Sequence, residues 1–186
     1  MHEIGHNLNF AHSGGLDART YTDHTCLMGN PLFEDDIARM CFNPVKNYQI
    51  AANGGWYRNE RVAHFDSGTA GGTSWSGRLV GVADYATSRH PVVLRLATGN
   101  RAAWFLGFNR AVGANAETQE AADEVTIYRV RGGGGRSYSL SRLLKTLRGG
   151  RSVTVSNWRK SRMDLVITVR DIVWASPAYA DIEVRK

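Results

Sequence analysis

Three histidines and one glutamate near the start of the chain have the residue types and the spacing of a metal site. His2 and His6 are four residues apart in the segment HEIGHNLNFAH, so a helix would place both imidazoles on one face, one turn apart. Two imidazoles at this spacing can bind one metal ion. Glu3 would project beside that ion, near an open coordination position, rather than act as a ligand itself.

A catalytic zinc ion needs a third protein ligand, and His12 follows His6 by six residues. His12 can reach the same ion only if the helix ends between the two histidines and the chain bends sharply. Asn9 stands where the bend must come, and Asn is the non-glycine residue that best tolerates the left-handed backbone conformation. The alternative is an ordinary amphipathic helix with solvent-facing histidines, which the combined spacing of the four residues disfavours.

A methionine follows the histidines at a distance that suits a turn beneath the metal. Met28 lies 16 residues after His12, in the segment DHTCLMGNP. A lone methionine usually fills a core. Here the Met-Gly pair favours a Met-turn, in which the methionine gives the three imidazoles an apolar floor.

The chain has two cysteines, Cys26 and Cys41, both close to the metal motif in sequence. They could be buried free thiols, or they could form one disulfide that closes a loop of about 15 residues, which the chain-entropy model values at about 3 kcal/mol. A thiolate zinc site needs more ligands than these two. We favour the disulfide, which indicates an oxidising compartment.

Length and composition favour a globular protein and disfavour two other classes. The chain has 186 residues, of which 42% are hydrophobic, and no stretch approaches the roughly 18 apolar residues of a membrane span. The net charge is +6, but the arginines are scattered through alternating segments and no nucleic-acid motif occurs, so we predict no nucleic-acid partner. The metal motif begins at the second residue, so we expect an upstream part, where any signal peptide would lie.

The elements that must position these residues change in character along the chain. Residues 2–9 predict a helix, residues 13–21 a loop, and residues 33–49 a short helix or irregular segment. After the small, flexible stretch at residues 67–74 the hydrophobic period becomes two. Segments rich in Val, Ile and aromatic residues then predict seven strands, at residues 77–85, 91–98, 101–109, 123–130, 151–156, 163–170 and 179–185.

The regular spacing of these strands predicts an antiparallel sandwich or barrel-like domain. Residues 139–147 could be a further strand or one short helix. We therefore divide the chain into a metal-binding part, residues 1–65, and a β-sandwich-like domain, residues 66–186, with a margin of several residues at the boundary.

The motifs together resemble the gametolysin or autolysin family of zinc metallopeptidases, which are metzincins. The resemblance is carried over residues 2–57 by HEIGHNLNFAHSG, by a Cys two residues before Met-Gly, and by CFNPVKNYQI and GGWY. LVGVADY, GFNRAVGAN and DEVTIYRV resemble the strand-rich region that follows the catalytic part of that family. The family has Gly at the helix exit where this sequence has Asn9.

The resemblance implies a role for each matching residue. The implied zinc ligands are His2, His6 and His12, and Glu3 is the general base. Met28 is the Met-turn residue, and Cys26 and Cys41 match cysteines near that turn. The implied fold is α+β, a metzincin lower lobe with an active-site helix and Met-turn followed by an all-β, sandwich-like domain.

The implied function is zinc-dependent endopeptidase activity on extracellular or cell-wall proteins and glycoproteins, in a secreted protein. The upstream half of a metzincin supplies an edge strand that holds the substrate peptide by β-addition, and this half is not in the chain. The alternative is a non-catalytic module in which the β domain binds matrix, glycan or protein and the zinc motif is vestigial.

Overall fold

The structure, a computed structural model, describes residues 1–30, 39–52, 61–68, 72–132 and 138–186. Within these ranges the chain forms two α-helices and two β-sheets. The helices are α1 (His2–Asn7) and α2 (Pro44–Ala52). The strands are β1 (Ser13–Gly14), β2 (Val62–Phe65), β3 (Ser74–Val80), β4 (Val93–Ala97), β5 (Ala103–Phe108), β6 (Val125–Val130), β7 (Ser141–Leu147), β8 (Arg151–Val155), β9 (Leu165–Val173) and β10 (Tyr179–Arg185). No helix in this part of the chain has the length and apolar character needed to cross a membrane.

The larger sheet has six strands in the order β1-β7-β6-β5-β4-β2, and the smaller has four in the order β3-β10-β9-β8. Pairing is antiparallel throughout the smaller sheet and in the middle of the larger one. Both edge strands of the larger sheet, β1 and β2, pair in parallel with their neighbours. The first 65 residues thus supply both edges of a sheet whose centre comes from later in the chain.

The two sheets pack face to face, and their alternating apolar side chains form the main core. Leu94, Leu106 and Ile127 of the larger sheet and Ile167 and Ile182 of the smaller one are completely buried in the same cluster. Fully burying a side chain of this size contributes about 1.5 to 3 kcal/mol. This core makes the sandwich the rigid base of the molecule.

The opposite face of the larger sheet carries α2 and the histidine segment. Val45 and Tyr48 of α2 pack against Phe105, Tyr128 and Leu143 of the sheet. The start of α2 has a favourable capping sequence, because the side-chain oxygen of Asn43 accepts hydrogen bonds from the backbone N–H groups of Val45 and Lys46, and Pro44 occupies the first helical position.

All seven predicted strands overlap observed strands, and residues 139–147 contain strand β7 rather than a helix. The short edge strands β1 and β2 were not predicted. Of the helix or irregular segment expected at residues 33–49, the described part contains the beginning of α2. Residues 31–38 and the GGWY motif at residues 54–57 lie outside the described residues.

The predicted α+β class, with a metzincin lower lobe built around an active-site helix, is wrong, since the molecule is mostly β. The helix that carries His2 and His6 has six residues, less than two turns. The only other α-helix in the described ranges has nine residues and lies flat on the larger sheet. The helical segments therefore form a thin layer on a β-structure.

Candidate metal centre

The structure brings His2, His6 and His12 together at the start of the chain. One ring nitrogen from each lies within 4.8 Å of the other two. The ring centroids are 4.9 Å apart for His2 and His6, 5.4 Å for His2 and His12, and 4.9 Å for His6 and His12. In the described part of the chain this is the one cluster of three or more His, Cys, Asp or Glu side chains close enough to bind a metal ion.

Backbone carbonyls determine which nitrogen the two helix histidines present to this cluster. His2 Nδ1 lies 2.5 Å from the Leu27 carbonyl oxygen, and His6 Nδ1 lies 2.9 Å from that of Phe10. A carbonyl oxygen only accepts, so both Nδ1 atoms carry the proton and donate. In a neutral imidazole the Nε2 atom then has a free lone pair, which is the arrangement found in metal-binding histidines.

The distance between the facing nitrogens fits a metal ion. His6 Nε2 and His12 Nε2 are 3.1 Å apart, and a tetrahedral zinc ion with bonds of about 2.0 to 2.1 Å holds two ligand nitrogens about 3.3 Å apart. Burial lowers the pKa of His12, as do the charges of His6, His2 and Lys46, against an opposing effect of Glu3. The low pKa favours the neutral, ligating form of this imidazole.

The bend between His6 and His12 is centred on Asn9. Asn9 has a φ of 64°, the left-handed conformation expected at the helix exit. The Asn9 carbonyl accepts a hydrogen bond of 2.7 Å from the Gln49 side chain of α2. Phe10 N–H donates to the Gly5 carbonyl at 3.0 Å, so the chain turns back along α1 and directs His12 toward it.

Met28 is buried against the inner side of α1. Its relative exposure is 0%, and a Cβ atom placed on Gly5 would lie only 2.2 Å from Met28 Sδ. Gly5 stands between His2 and His6 in the helix, so the thioether packs directly behind the two histidines. The Met28 carbonyl also accepts a hydrogen bond of 2.7 Å from Ser13 N–H, next to His12.

Glu3 lies on the exposed side of α1. Its carboxylate is close enough to raise the pKa of His12, against the stronger lowering effects. The carboxylate therefore faces solvent near the cluster while the three imidazoles face one another.

The predicted disulfide is not formed, because Cys26 and Cys41 are both free thiols. Cys26 Sγ is completely buried and accepts hydrogen bonds from the backbone N–H groups of Met28 and Asn43 at 3.4 Å and 3.2 Å. Burial raises the pKa of Cys26 to about 12 and that of Cys41 to about 11. The raised pKa values favour the protonated form of both thiols, and the sequence left free thiols open as the alternative to the disulfide.

A buried polar network, unrecognised in the sequence, links the site to the larger sheet. Its centre is Asp23, which has 0% exposure. One carboxylate oxygen accepts hydrogen bonds from Ser13 Oγ at 2.6 Å and Tyr128 OH at 2.7 Å. The other accepts from the Thr25 backbone N–H at 2.9 Å and its hydroxyl at 2.8 Å. Charge-assisted bonds of this kind are about twice as strong as neutral ones.

The network continues across β1 to the neighbouring strand. Ser13 Oγ accepts hydrogen bonds from Asn43 Nδ2 and Ser141 Oγ, each at 2.9 Å. Ser141 N–H also donates to the His12 carbonyl at 3.3 Å. The backbone that follows the third histidine is therefore attached to the six-stranded sheet.

Tyr21 is a second site residue that the sequence did not indicate. Its ring centroid lies 5.3 Å from that of His2 and 4.9 Å from that of His12. A tyrosine in a loop gives no spacing signal, and Asp23 gives none because its partners are distant in sequence.

His24, by contrast, lies outside the cluster, and its Nδ1 donates to the Asn30 carbonyl at 2.7 Å.

Comparisons of the chain with protein-family models, with curated proteins and with solved structures found no match. The resemblance to the gametolysin family accordingly stays a prediction from the motifs.

Proposed function

We propose that this chain is a zinc-dependent metalloendopeptidase that binds zinc through His2, His6 and His12 and uses Glu3 as its general base. The observation that carries the proposal is the orientation of the imidazoles. The Nδ1 atoms of His2 and His6 donate to carbonyl oxygens, which leaves both Nε2 atoms unprotonated in the neutral rings, and that of His6 lies 3.1 Å from His12 Nε2. Among the described residues the cluster has three histidines and no fourth side chain of a ligand type, and three protein ligands are typical of a catalytic rather than a structural zinc site.

A zinc ion held by these residues would act as a Lewis acid toward the scissile carbonyl. It would also lower the pKa of its bound water, so that hydroxide would be available as the nucleophile at neutral pH. The chain's own residues supply the proton transfers. Glu3 accepts a proton from the attacking water and passes it to the leaving nitrogen. The exposed position of Glu3 gives its carboxylate access to both groups, and the buried Met28 keeps the inner side of the site apolar.

The motif resemblance over residues 2–57 supports a protein or glycoprotein substrate outside the cell. The mild positive charge of the chain, +6, is compatible with anionic substrates.

The test is Glu3→Gln, which keeps size and shape but cannot accept a proton. We expect the original chain to bind one zinc ion, and we expect any cleavage of labelled casein to be abolished by a chelator and restored by added zinc. The variant should keep its zinc and its melting temperature but lose about 10²- to 10⁴-fold in kcat, with little change in KM.

Kinetics at matched zinc occupancy decide the matter. Equal cleavage by both proteins would exclude Glu3 as the base and the mechanism with it. Zinc binding with no hydrolysis by the original chain would favour the non-catalytic module, in which the β domain binds a partner.

A further inference from the structure

A cavity of about 410 Å³ lies at the edge of the larger sheet, beside β1. Four arginines line it, Arg19, Arg129, Arg131 and Arg142, and Leu140 and Leu144 supply apolar wall. Its size suits one or two amino-acid side chains of a ligand. A cavity with several guanidinium groups and apolar walls is chemically suited to an anion attached to a carbon chain.

Three of these arginines have no acidic partner in the part of the chain that the structure describes. Among the residues that the structure describes, Arg129, Arg131 and Arg142 form no ion pair, whereas Arg19 pairs with Asp17 at 2.6 Å. Elsewhere in the described part of the chain, Arg110, Arg148, Arg159 and Arg170 pair with carboxylates, whereas Arg101 and Arg151 form no ion pair with a described residue. Three positive charges thus line the cavity without an ion-pair partner among the described residues.

Two of the unpaired arginines stand directly opposite each other. Arg129 of β6 and Arg142 of β7 are register partners in an antiparallel pair, and both are exposed. Like charges at directly opposite positions destabilise a sheet. Because Arg129 and Arg142 repel each other and both line the cavity, the cavity is suited to a ligand whose negative charge offsets this repulsion.

The cavity borders the candidate metal centre along the chain. Gly14, which lines the cavity, follows His12 by two residues and is the register partner of Arg142. The cavity wall at Arg19 and Thr20 runs directly into Tyr21, whose ring contacts the rings of His2 and His12. The loop of residues 12–21 therefore starts at a histidine of the cluster, lines the arginine cavity along its length, and ends at Tyr21, which contacts the cluster.

We propose that this cavity binds a side-chain carboxylate of an acidic peptide segment and so directs acidic substrates to the metal centre. That the acidic segment belongs to a substrate rests on the proposed function. That it binds here rests on the cavity alone. A guanidinium group presents a planar fork of donors that matches a carboxylate with two parallel hydrogen bonds. Arg129 and Arg142, side by side, can clamp one carboxylate between them.

The test measures binding without catalysis. A fluorescein-labelled decapeptide of alternating Glu and Ala is titrated into chelator-treated full chain, and a Gln-Ala decapeptide serves as the neutral match. We expect the acidic peptide to bind at least ten-fold more tightly, with an affinity that falls as salt is added. Equal binding of the two peptides would overturn the proposal.

The variants locate the site. Arg129→Gln with Arg142→Gln should weaken acidic-peptide binding at least ten-fold, and Arg151→Gln, an exposed arginine at the start of β8, should change it less than two-fold. The double variant should melt at the same temperature or higher, because a like-charge pair is removed. Replacement of both by Lys should keep part of the salt-dependent affinity but lose the bidentate share. An equal loss in the Arg151 variant would mean non-specific charge attraction and would contradict the proposal.

Two further measurements distinguish binding at the cavity from the peptidase mechanism and an acidic peptide from a sulfated glycan as the ligand. If the chain binds zinc and cleaves peptides, the double glutamine variant should raise KM for acidic substrates at least ten-fold with kcat unchanged. If it cleaves nothing, acidic-peptide binding still tests the cavity. Heparin binding that depends on the same arginines, without acidic-peptide binding, would assign the cavity to sulfated glycans and overturn the proposal.

Discussion

Each of the two helix histidines uses one ring nitrogen for a backbone carbonyl and keeps the other for a ligand. These carbonyls belong to Leu27 and Phe10. The helix brings the imidazoles of His2 and His6 close together, and the loops around the site fix the orientation of each ring. The spacing of HEIGH predicts which imidazoles meet. It cannot predict the carbonyls, since any residue type supplies the same carbonyl oxygen.

Removing the third histidine should abolish tight zinc binding. Outer partners of zinc ligands are worth about 10- to 100-fold in affinity, so loss of a ligand through His12→Ala should cost more than about 100-fold. The measurement is competition with a chromophoric chelator, and His90→Ala, an exposed histidine outside the cluster, is the control. Unchanged affinity in the His12 variant would remove it from the ligand set.

Gly5→Ala should destabilise α1 although helix propensity predicts the opposite. Propensity alone favours Ala by about 1 kcal/mol, but the new Cβ would lie 2.2 Å from Met28 Sδ and 3.3 Å from the Phe42 ring. Overpacking of this kind costs about 1 to 3 kcal/mol, so zinc affinity and unfolding free energy should both fall.

Chemical denaturation and zinc titration measure the two effects of Gly5→Ala. Asn7→Ala, on the exposed side of the same helix, is the matched control and should leave zinc affinity unchanged. Combining Gly5→Ala with Met28→Ala should give a loss smaller than the sum of the two, since the second change removes the clash. Strict additivity would show that the two side chains do not press on each other.

At the scale of the elements, α1 depends on its surroundings. A helix of six residues is unstable on its own in water. It is held by Met28 behind it and by Gln49 of α2 at its exit turn. The site is therefore a product of loops and α2 more than of the helix that carries the motif.

The strand β1 transmits the rigidity of the sheet to His12, and Asp23 is the residue to test. Asp23→Asn removes an acceptor that two hydroxyls share, and a hydrogen bond to a charged group is worth about 1.5 to 3 kcal/mol. We expect a stability loss of about that size and a 10- to 100-fold loss of zinc affinity.

Urea denaturation and zinc titration distinguish positioning from general destabilisation. Ile167→Ala, in the core between the sheets, should cost about 2 to 5 kcal/mol without changing the zinc affinity of the folded protein. Equal zinc affinity in the Asp23 variant and the original would show that the network does not position the ligand.

The seven predicted strands were found because each has a self-contained period of two between turn residues. The edge strands β1 and β2 lack such a pattern, since they have two and four residues and exist only through parallel pairing with distant segments. The Asn43-Pro44 capping signal for the start of α2 was present in the sequence and could have been used.

Across the whole molecule, the buried Lys46 makes stability depend on pH. Lys46 has 0% exposure, and burial lowers its pKa from 10.5 to about 8 against the opposing charges of Cys26 and Asp23. Above pH 8 the unfolded chain holds this proton more tightly than the folded one, so stability rises with pH. We expect a gain of about 1 kcal/mol between pH 7 and 9.

Comparison with Lys46→Met isolates this effect, because the variant should lack the rise and be more stable at pH 7. The side chain donates to the Ser139 carbonyl at 3.1 Å, a bond that the variant loses. From about pH 8 upward the raised pKa values of Cys26 and Cys41 act in the opposite direction in both proteins, since the unfolded thiols ionise first, so the Lys46 effect is the difference between the two curves. Parallel curves for both proteins between pH 7 and 9 would show that Lys46 stays charged when folded.

The α+β prediction failed at this largest scale for a reason visible in single residues. The motif in residues 2–12 predicts a metal-site chemistry, but its presence does not imply the whole metzincin lobe that the α+β prediction included. The packing surface of that segment is instead the face of the larger sheet, through Ser13, Asn43 and Tyr128. A local motif predicts the residues of a site. The arrangement of sheets and helices depends on pairings between distant segments, which no short motif contains.

The pairing of β1 with β7 also has a consequence for how the protein is made. The bonds from Asp23 to Tyr128 and from Ser13 to Ser141 join residues 105 and 128 positions apart. During translation at about 5 to 20 residues per second, His2, His6 and His12 leave the ribosome about 5 to 25 seconds before the strands that hold their loop. The nascent chain thus exposes three unrestrained imidazoles, and we expect stable metal capture only after β7 has emerged and folded.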